Sequence, residues 1–257
     1  MFRVVIPARY ASTRLPGKAL RLIAGKPMLQ WVHERATAAQ AAEVLIATDD
    51  ERIATAARAF GAAVVMTAAS HASGTDRIAE VARVRGWAEA DIVVNVQGDE
   101  PLIPVSLIRQ VAQLLQSHRD AHLGTLATPV LALQEYLDPN AVKVVSDAAG
   151  RALYFSRAPL PWNRDGAAAG LASQSDWSGA RRHIGIYAYR AGALLRLARL
   201  PHGELEQREK LEQLRALEHG LHIQVATALE APGPDVNTLA DLERVEALIQ
   251  QQSGAAG

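Results

Sequence analysis

The sequence predicts an α/β fold: a mainly parallel, mixed sheet flanked by helices, with an antiparallel hairpin inserted late in the chain. Two observations carry this expectation. Short runs rich in Val and Ile alternate with helix-length patterns through the first half, which is the mark of strand–helix–strand units. After about residue 123 that alternation gives way to strands joined by a tight turn.

Taken in order, residues 2–8 (FRVVIPA), 43–49 (EVLIATD), 63–67 (AVVMT) and 91–97 (DIVVNVQ) are apolar runs of strand length, as expected of strands buried on both faces. Residues 28–39 and 50–60 carry helical patterns between them, and a helix is expected to start at 73–75. In 105–116 the residues Leu107, Ile108, Val111, Leu114 and Leu115 fall on one helical face. Residues 140–157 (NAVKVVSDAAGRALYFSR) read as two strands around a Gly-containing turn. The polar segment 161–181 precedes a strand at 182–190, a single charged helix ending at Gly220 and a strand at 222–229. Thr238 with Asp241 three residues on signals the start of a last helix, with Leu239, Leu242, Val245 and Leu248 on one face. No repeat or linker interrupts the pattern, so residues 1–250 are expected to form one domain, with 251–257 a disordered tail.

Composition narrows the function. Hydrophobic residues make up 49% and charged residues 21% of the 257, which is enough apolar content for a sizeable core. The 27 basic and 27 acidic residues cancel, so a general nucleic-acid or membrane-surface binder is not expected and any positive site must be local. The absence of cysteine excludes disulfides, thiolate zinc sites and thiol nucleophiles. The N-terminal residues lack the apolar region of a signal peptide and no run approaches the ~18 apolar residues of a membrane span, which points to the cytoplasm.

The local positive site is in the first loop. The stretch IPARYASTRLPGK (6–18) follows a strand and gathers Arg9, Arg14 and Lys18 with Ser12, Thr13 and Gly17. Parallel sheets bind ligands at the carboxyl ends of their strands. Cations and hydroxyls there suit phosphate, although the stretch matches neither common glycine-rich phosphate motif. The other reading is a solvated loop whose cations pair with nearby acids. At the end of the fourth strand QGDEP (97–101) places Asp99, a hard-oxygen donor suited to Mg²⁺, beside Gly98 and Gln97.

These blocks together resemble the 3-deoxy-manno-octulosonate (Kdo) cytidylyltransferases. Collinear with the first loop run HASGTDR (71–77), VVNVQGDEP (93–101), NAVKVV (140–145), LYFSRAPLPW (153–162), RHIGIYAYR (182–190), LEQLRALEHG (211–220) and DLERV (241–245). The resemblance implies a Rossmann-like nucleotidyltransferase fold and a homodimer in which the hairpin takes part. It implies the reaction of CTP with Kdo to give CMP-Kdo and pyrophosphate, with Mg²⁺, for lipopolysaccharide synthesis. Sialic acid or an amino analogue of Kdo is an alternative acceptor, and a non-catalytic nucleotide-binding homologue is a rival of another class.

The resemblance also assigns residues. Arg9, Arg14 and Lys18 would hold the triphosphate, with Ser73, Gly74, Thr75 and Gln97 adding nucleotide contacts; Ser73–Thr75 equally suit a plain helix cap. Arg9, Lys18 and Asp99 would be the catalytic groups. Gln97, Arg157, His183, Tyr187, Glu212 and Gln213 would read the sugar acid, Arg157 being suited to its carboxylate. One position departs from the family: its second metal-binding Asp is replaced here by Asn237, in PDVNTLADL. Asp235, two residues earlier and on the same face of extended chain, could supply the missing carboxylate. Asp99, Asp235 and Asn237 are therefore carried together as the expected metal set, while Asn237 also suits a helix cap.

Overall fold

The first strand, β1 (Phe2–Ala8), shows how the sheet is buried. Val4 and Ile6 enter one apolar cluster and Val5 enters another, all three without solvent exposure. Period-two alternation of this kind needs a layer on each face. The computed structural model describes residues 1–11, 15–166 and 170–254.

The elements follow in order. After β1 come a small ribbon, β2 (Leu22–Ile23) and β3 (Lys26–Pro27), then α1 (Met28–Ala38), β4 (Glu43–Thr48), α2 (Glu51–Ala59) and β5 (Ala63–Met66). Next are α3 (Gly74–Val84), β6 (Ile92–Asn95), α4 (Val105–Ser117), β7 (Leu123–Pro129), the short α5 (Leu133–Leu137) and a hairpin, β8 (Lys143–Ser146) and β9 (Ala152–Ser156). The chain ends with β10 (Arg181–Arg190), α6 (Ala191–Leu197), α7 (Glu204–Glu209), α8 (Gln213–Glu218), β11 (Ile223–Thr227) and α9 (Leu239–Gly254).

Among the described residues nine strands form one sheet, ordered β11-β7-β10-β6-β1-β4-β5, with β8 on β10 and β9 on β8. β1 runs parallel to β4 and β6, and β4 to β5, whereas β10 is antiparallel to both β6 and β7. α1, α2 and α4 pack on one face through Val32, Ile53 and Leu107. α3, α6 and α8 pack on the other through Ile78, Leu194 and Leu214. The chain leaves β1 towards β4 and β5, then crosses back to β6 on the other side, so the connections diverge between β1 and β6. A crevice opens at such a point, at the carboxyl ends of the strands.

Several expectations need correction. Leu123–Pro129 is a central strand that the sequence reading did not identify; its Gly, Thr and Pro dilute the apolar run. The charged stretch 204–220 is two helices, broken where Lys210 takes a left-handed backbone (φ 54°). α9 runs on to Gly254, past the expected end at 250, and residues 255–257 lie outside the described residues. Its start is as read: Thr238 and Asp241 exchange side-chain and backbone hydrogen bonds of 2.9 and 3.2 Å. Leu242 and Val245 are buried, yet Leu239 is 57% exposed, so the apolar face begins one turn later.

The break at Lys210 is held by a buried ion pair. Arg215 Nε donates to Glu206 Oε2 at 2.8 Å, and His202 Nδ1 lies 2.9 Å from Glu206 Oε1. Burial pushes the Glu206 carboxyl up, but the bonds from Arg215 and His202 outweigh it and leave its pKa below the ordinary 4.5. Arg215→Met strands a buried charge and is expected to cost about 3–5 kcal/mol in denaturant unfolding. The stability that the pair contributes is complete above pH 4.5 and is lost as pH falls through the lower folded value. The parent's acid unfolding is therefore expected to be steeper than the variant's in that window.

Candidate active site

The crevice between β1 and β6 is a cleft of about 350 Å³. Arg9 and Lys18 wall it from the first loop, Ser73, Gly74 and Arg77 from the start of α3, and Gln97 and Asp99 from the segment after β6. That segment and the end of β1 are in close backbone contact: a side chain at Gly98 would put its Cβ 3.1 Å from the Pro7 carbonyl. α3 opens on a capping box in which Ser73 Oγ accepts from Asp76 N at 3.1 Å and Ser73 N donates to Asp76 Oδ2. Its positive N-terminal end faces the cleft, as suits an anion. Arg9 is exposed with no hydrogen-bond partner among the described residues, whereas Arg77 is buried and held by Thr67 and Asp49.

Lys18 joins three remote segments. Its ammonium donates to Asp99 Oδ2 at 2.7 Å, to the Val236 carbonyl at 2.9 Å and to Asn237 Oδ1 at 3.3 Å. Asn237 turns its amide nitrogen to Asp235, which lies exposed outside the cleft. Its oxygen therefore points towards Lys18, on the side of Asp99. The Thr238 hydroxyl caps the start of α9, and Asn237 joins it only through its backbone N–H, which donates to Asp241 Oδ2 at 3.1 Å, so the capping alternative for the Asn237 side chain is set aside. Beside them Glu100 Oε2 is buried without a partner among the described residues. Burial, then the charges of Asp99 and Asp235, push the Glu100 carboxyl up to about 8.

This donor set was tested against a divalent metal. Among the described residues no three His, Asp or Glu side chains gather closely enough to enclose an ion. Mg²⁺ is ordinarily held by one or two carboxylates, with phosphate and water completing its shell. Asp99 and the Asn237 oxygen on a common ammonium, with the partnerless Glu100 oxygen nearby, fit that partial mode.

A second cavity, about 210 Å³, adjoins the first and shares Gln97 with it. It is lined from β10 by His183, Tyr187 and Tyr189 and from α8 by Gln213, with Glu212 just before that helix. Three atoms of its wall are sealed from solvent without a well-aligned hydrogen bond among the described residues: Asn95 Oδ1, beside Tyr189, the Tyr187 hydroxyl, beside Thr125, and Gln213 Nε2. Buried polar atoms are nearly always paired, so this cluster marks a site for a polar ligand. Glu212 ties the two cavities together: Ser73 Oγ and Thr75 Oγ1 lie 3.0 Å from its two carboxyl oxygens. Burial raises the Glu212 pKa, and those two hydroxyls oppose the rise.

His183 sits where β10 bulges. Its pairing with Ala127 and the pairing of Tyr187 with Thr125 are out of register, and Gly185 between them has φ +90°, a conformation glycine adopts without strain. The ring is packed edge-on to Phe155 at 5.1 Å and beside Tyr187 at 5.2 Å. Burial pushes its pKa down to about 3.

Of the residues expected at the site, Arg9, Lys18, Ser73, Gly74, Gln97, Asp99 and Asn237 line the first cavity, and Thr75, His183, Tyr187, Glu212 and Gln213 the second. Arg14, Ser12 and Thr13 lie outside the described residues. Arg157, expected against the sugar acid, is not among the residues lining either cavity. Its Nε donates to the Glu209 carbonyl at 2.7 Å and another guanidinium nitrogen to the Pro139 carbonyl at 2.9 Å. Sequence reasoning missed Arg77, Asn95, Glu100 and Tyr189. Arg77 and Glu100 stand inside quoted motifs, while Asn95 and Tyr189 resemble ordinary strand residues until β6 and β10 are paired.

Comparison with known proteins agrees with this geometry. A family profile described as Cytidylyltransferase matches residues 3–223. The chain is 55% identical to the 3-deoxy-manno-octulosonate cytidylyltransferase of Thioalkalivibrio sulfidiphilus, over 97% of this chain and 99% of that one. It is 57% identical to that of Pseudomonas fluorescens, over 97% and 98%. A solved CMP:2-keto-3-deoxy-manno-octonic acid synthetase complexed with CTP superposes with a TM-score of 0.88 at 42% identity, covering 98% of this chain and 100% of the other. A cytidylyltransferase from Leptospira borgpetersenii, 16% identical with a TM-score of 0.63 and coverage of 96% and 86%, shares the fold.

The low pKa of His183 gives a direct check. Its ring resonances are expected to stay flat in an NMR titration from about pH 5 to about pH 9, across the range where a solvated histidine changes charge.

Proposed function

This chain belongs to the 3-deoxy-manno-octulosonate cytidylyltransferase family, and from that membership we propose that it converts CTP and Kdo to CMP-Kdo and pyrophosphate for lipopolysaccharide synthesis. The observation that carries the proposal is the pair of cavities meeting at Gln97. One is walled by cations and a helix N-terminus, the other by sealed polar groups without well-aligned hydrogen bonds among the described residues. A triphosphate suits the first and a polyhydroxylated acid the second.

In this reading Arg9, Lys18 and, by the resemblance, Arg14 hold the triphosphate, and the start of α3 at Ser73 and Gly74 receives an anionic group. Gln97 stands between the two substrates. Tyr187, Glu212, Gln213 and His183 meet hydroxyls of the sugar acid. Mg²⁺, when bound, would supply charge neutralisation at the phosphates and lower the pKa of the attacking hydroxyl. Asp99 would hold it with the Asn237 carbonyl oxygen, while Asp235 orients Asn237 by accepting from its amide. Lys18, which bridges Asp99 and Asn237, keeps these two oxygens together.

The test is pyrophosphate release with CTP and Mg²⁺, comparing Kdo, sialic acid, an amino analogue of Kdo and no acceptor. Turnover with Kdo is expected. Preference for another acceptor replaces the substrate, and CTP binding without turnover on any acceptor identifies a non-catalytic homologue. Asp99→Asn and Lys18→Ala are each expected to lower kcat by about 10²–10³. Asn237→Ala is expected to cost more than Asp235→Ala, which loses about tenfold as an outer-shell change. The reverse order would move the second metal oxygen to Asp235.

The homodimer is proposed on the same membership. Leu131, Leu153, Trp162 and Leu171, from 42% to 83% exposed, all lie in the stretch between β7 and β10 that includes the β8–β9 hairpin. Sedimentation equilibrium is expected to give twice the chain mass, and Leu153→Glu to weaken that association. No helix among the described residues is long and apolar enough to cross a membrane, and the reaction is proposed to run in the cytoplasm.

A further inference from the structure

His183 is neutral, so one ring nitrogen carries a proton and the other is bare. Which is which depends on a residue outside both cavities. Thr125 lies fully buried in the middle of β7, paired with Tyr187 across the sheet. Its Oγ1 stands 2.7 Å from the Ile186 carbonyl, inside the β10 bulge, and 3.0 Å from His183 Nε2. A carbonyl oxygen only accepts and a hydroxyl has one proton, so that proton goes to Ile186. The same oxygen then accepts from His183. Nε2 therefore holds the ring proton, and Nδ1 is a bare acceptor with no partner among the described residues.

We propose that Thr125 is a positioning residue that fixes His183 as a hydrogen-bond acceptor, so that Nδ1 takes a hydroxyl of the sugar acid and has no role towards its carboxylate. This rests on the function proposed above. The chemistry separates it from a packing role. Val would fill the same space in β7, but only a hydroxyl can give a proton to the bulge and take one from the ring. With Val at 125, the Nε2 proton loses its buried acceptor and the ring is free to move the proton to Nδ1. The side of His183 offered to the cavity then changes from acceptor to donor.

The experiment is two-bond ¹H–¹⁵N correlation of the His183 ring, with steady-state kinetics, in the parent, Thr125→Val and Thr125→Ser. The parent is expected to show a protonated Nε2 and a bare Nδ1. Thr125→Val is expected to shift the ring towards the other tautomer and to raise KM for Kdo roughly tenfold while KM for CTP stays within about twofold. Thr125→Ser, which keeps the hydroxyl, is expected to restore the parent's tautomer and bring KM back to within about threefold. A protonated Nδ1 in the parent overturns the proposal, as does a Thr125→Val ring with the parent's tautomer. The parent spectrum needs no acceptor, so the two readings fail separately: a parent inactive on Kdo sinks the reaction, and a wrong parent tautomer sinks the role of Thr125.

Discussion

The first cavity hangs on one ammonium. Lys18 belongs to the first loop, Asp99 to the turn after β6, and Val236 and Asn237 to the approach to α9, segments separated by 81 to 219 residues of chain. No strand pairing joins these three places. A backbone bond from Val236 N to the Asp99 carbonyl, 2.9 Å, adds a direct tie between the latter two. Lysine suits the position because three rotatable protons reach three acceptors in different directions, where the flat fork of arginine would be constrained to a plane. The side chain is only partly exposed, so these contacts are shielded more than a surface pair.

That junction also explains why a cluster of carboxylates is tolerated. Asp99, Glu100 and Asp235 lie close enough that the charges of the first and last raise the proton affinity of the second. The cost is contained because each is treated differently: Asp99 receives Lys18, Asp235 stands in solvent with Asn237, and burial favours the neutral form of Glu100. Such a negative region facing a cationic loop across one cleft is an arrangement for an anion accompanied by a cation.

Much of the frame was legible. β1, β4 and β6 stood out because buried parallel strands need continuous apolar runs, β5 because its short Val-rich run reads as a strand although it lies half-exposed at the sheet edge, and α4 because its apolar positions keep the helical period from Leu107 to Leu115. β7 was hidden because Gly124, Thr125 and Thr128 are placed for packing and hydrogen bonding, not for hydrophobicity. The break at Lys210 left no trace, since it is imposed by the Arg215–Glu206 pair. In the site, Lys18, Gln97 and Asp99 were legible because their loops follow strands at the crevice edge. Asn95, Tyr189 and Thr125 acquire their surroundings only from strand pairing, and the two carbonyls that accept from the Arg157 guanidinium lie 52 and 18 residues away in the chain.

The reversed direction of β10 has a consequence for how such a protein can diversify. Parallel strands bring only their carboxyl ends to the crevice, but β10, inserted antiparallel between β6 and β7, brings its opening residues there. His183 and Gly185 thus reach the second cavity on a separate stretch of chain, joined there by the α8 residues and sharing only Gln97 with the first. In the proposed reading, the donor and the acceptor are thus met by different stretches of chain. Under that reading, substitutions in residues 181–190 would reshape the second cavity without replacing any residue that lines the first.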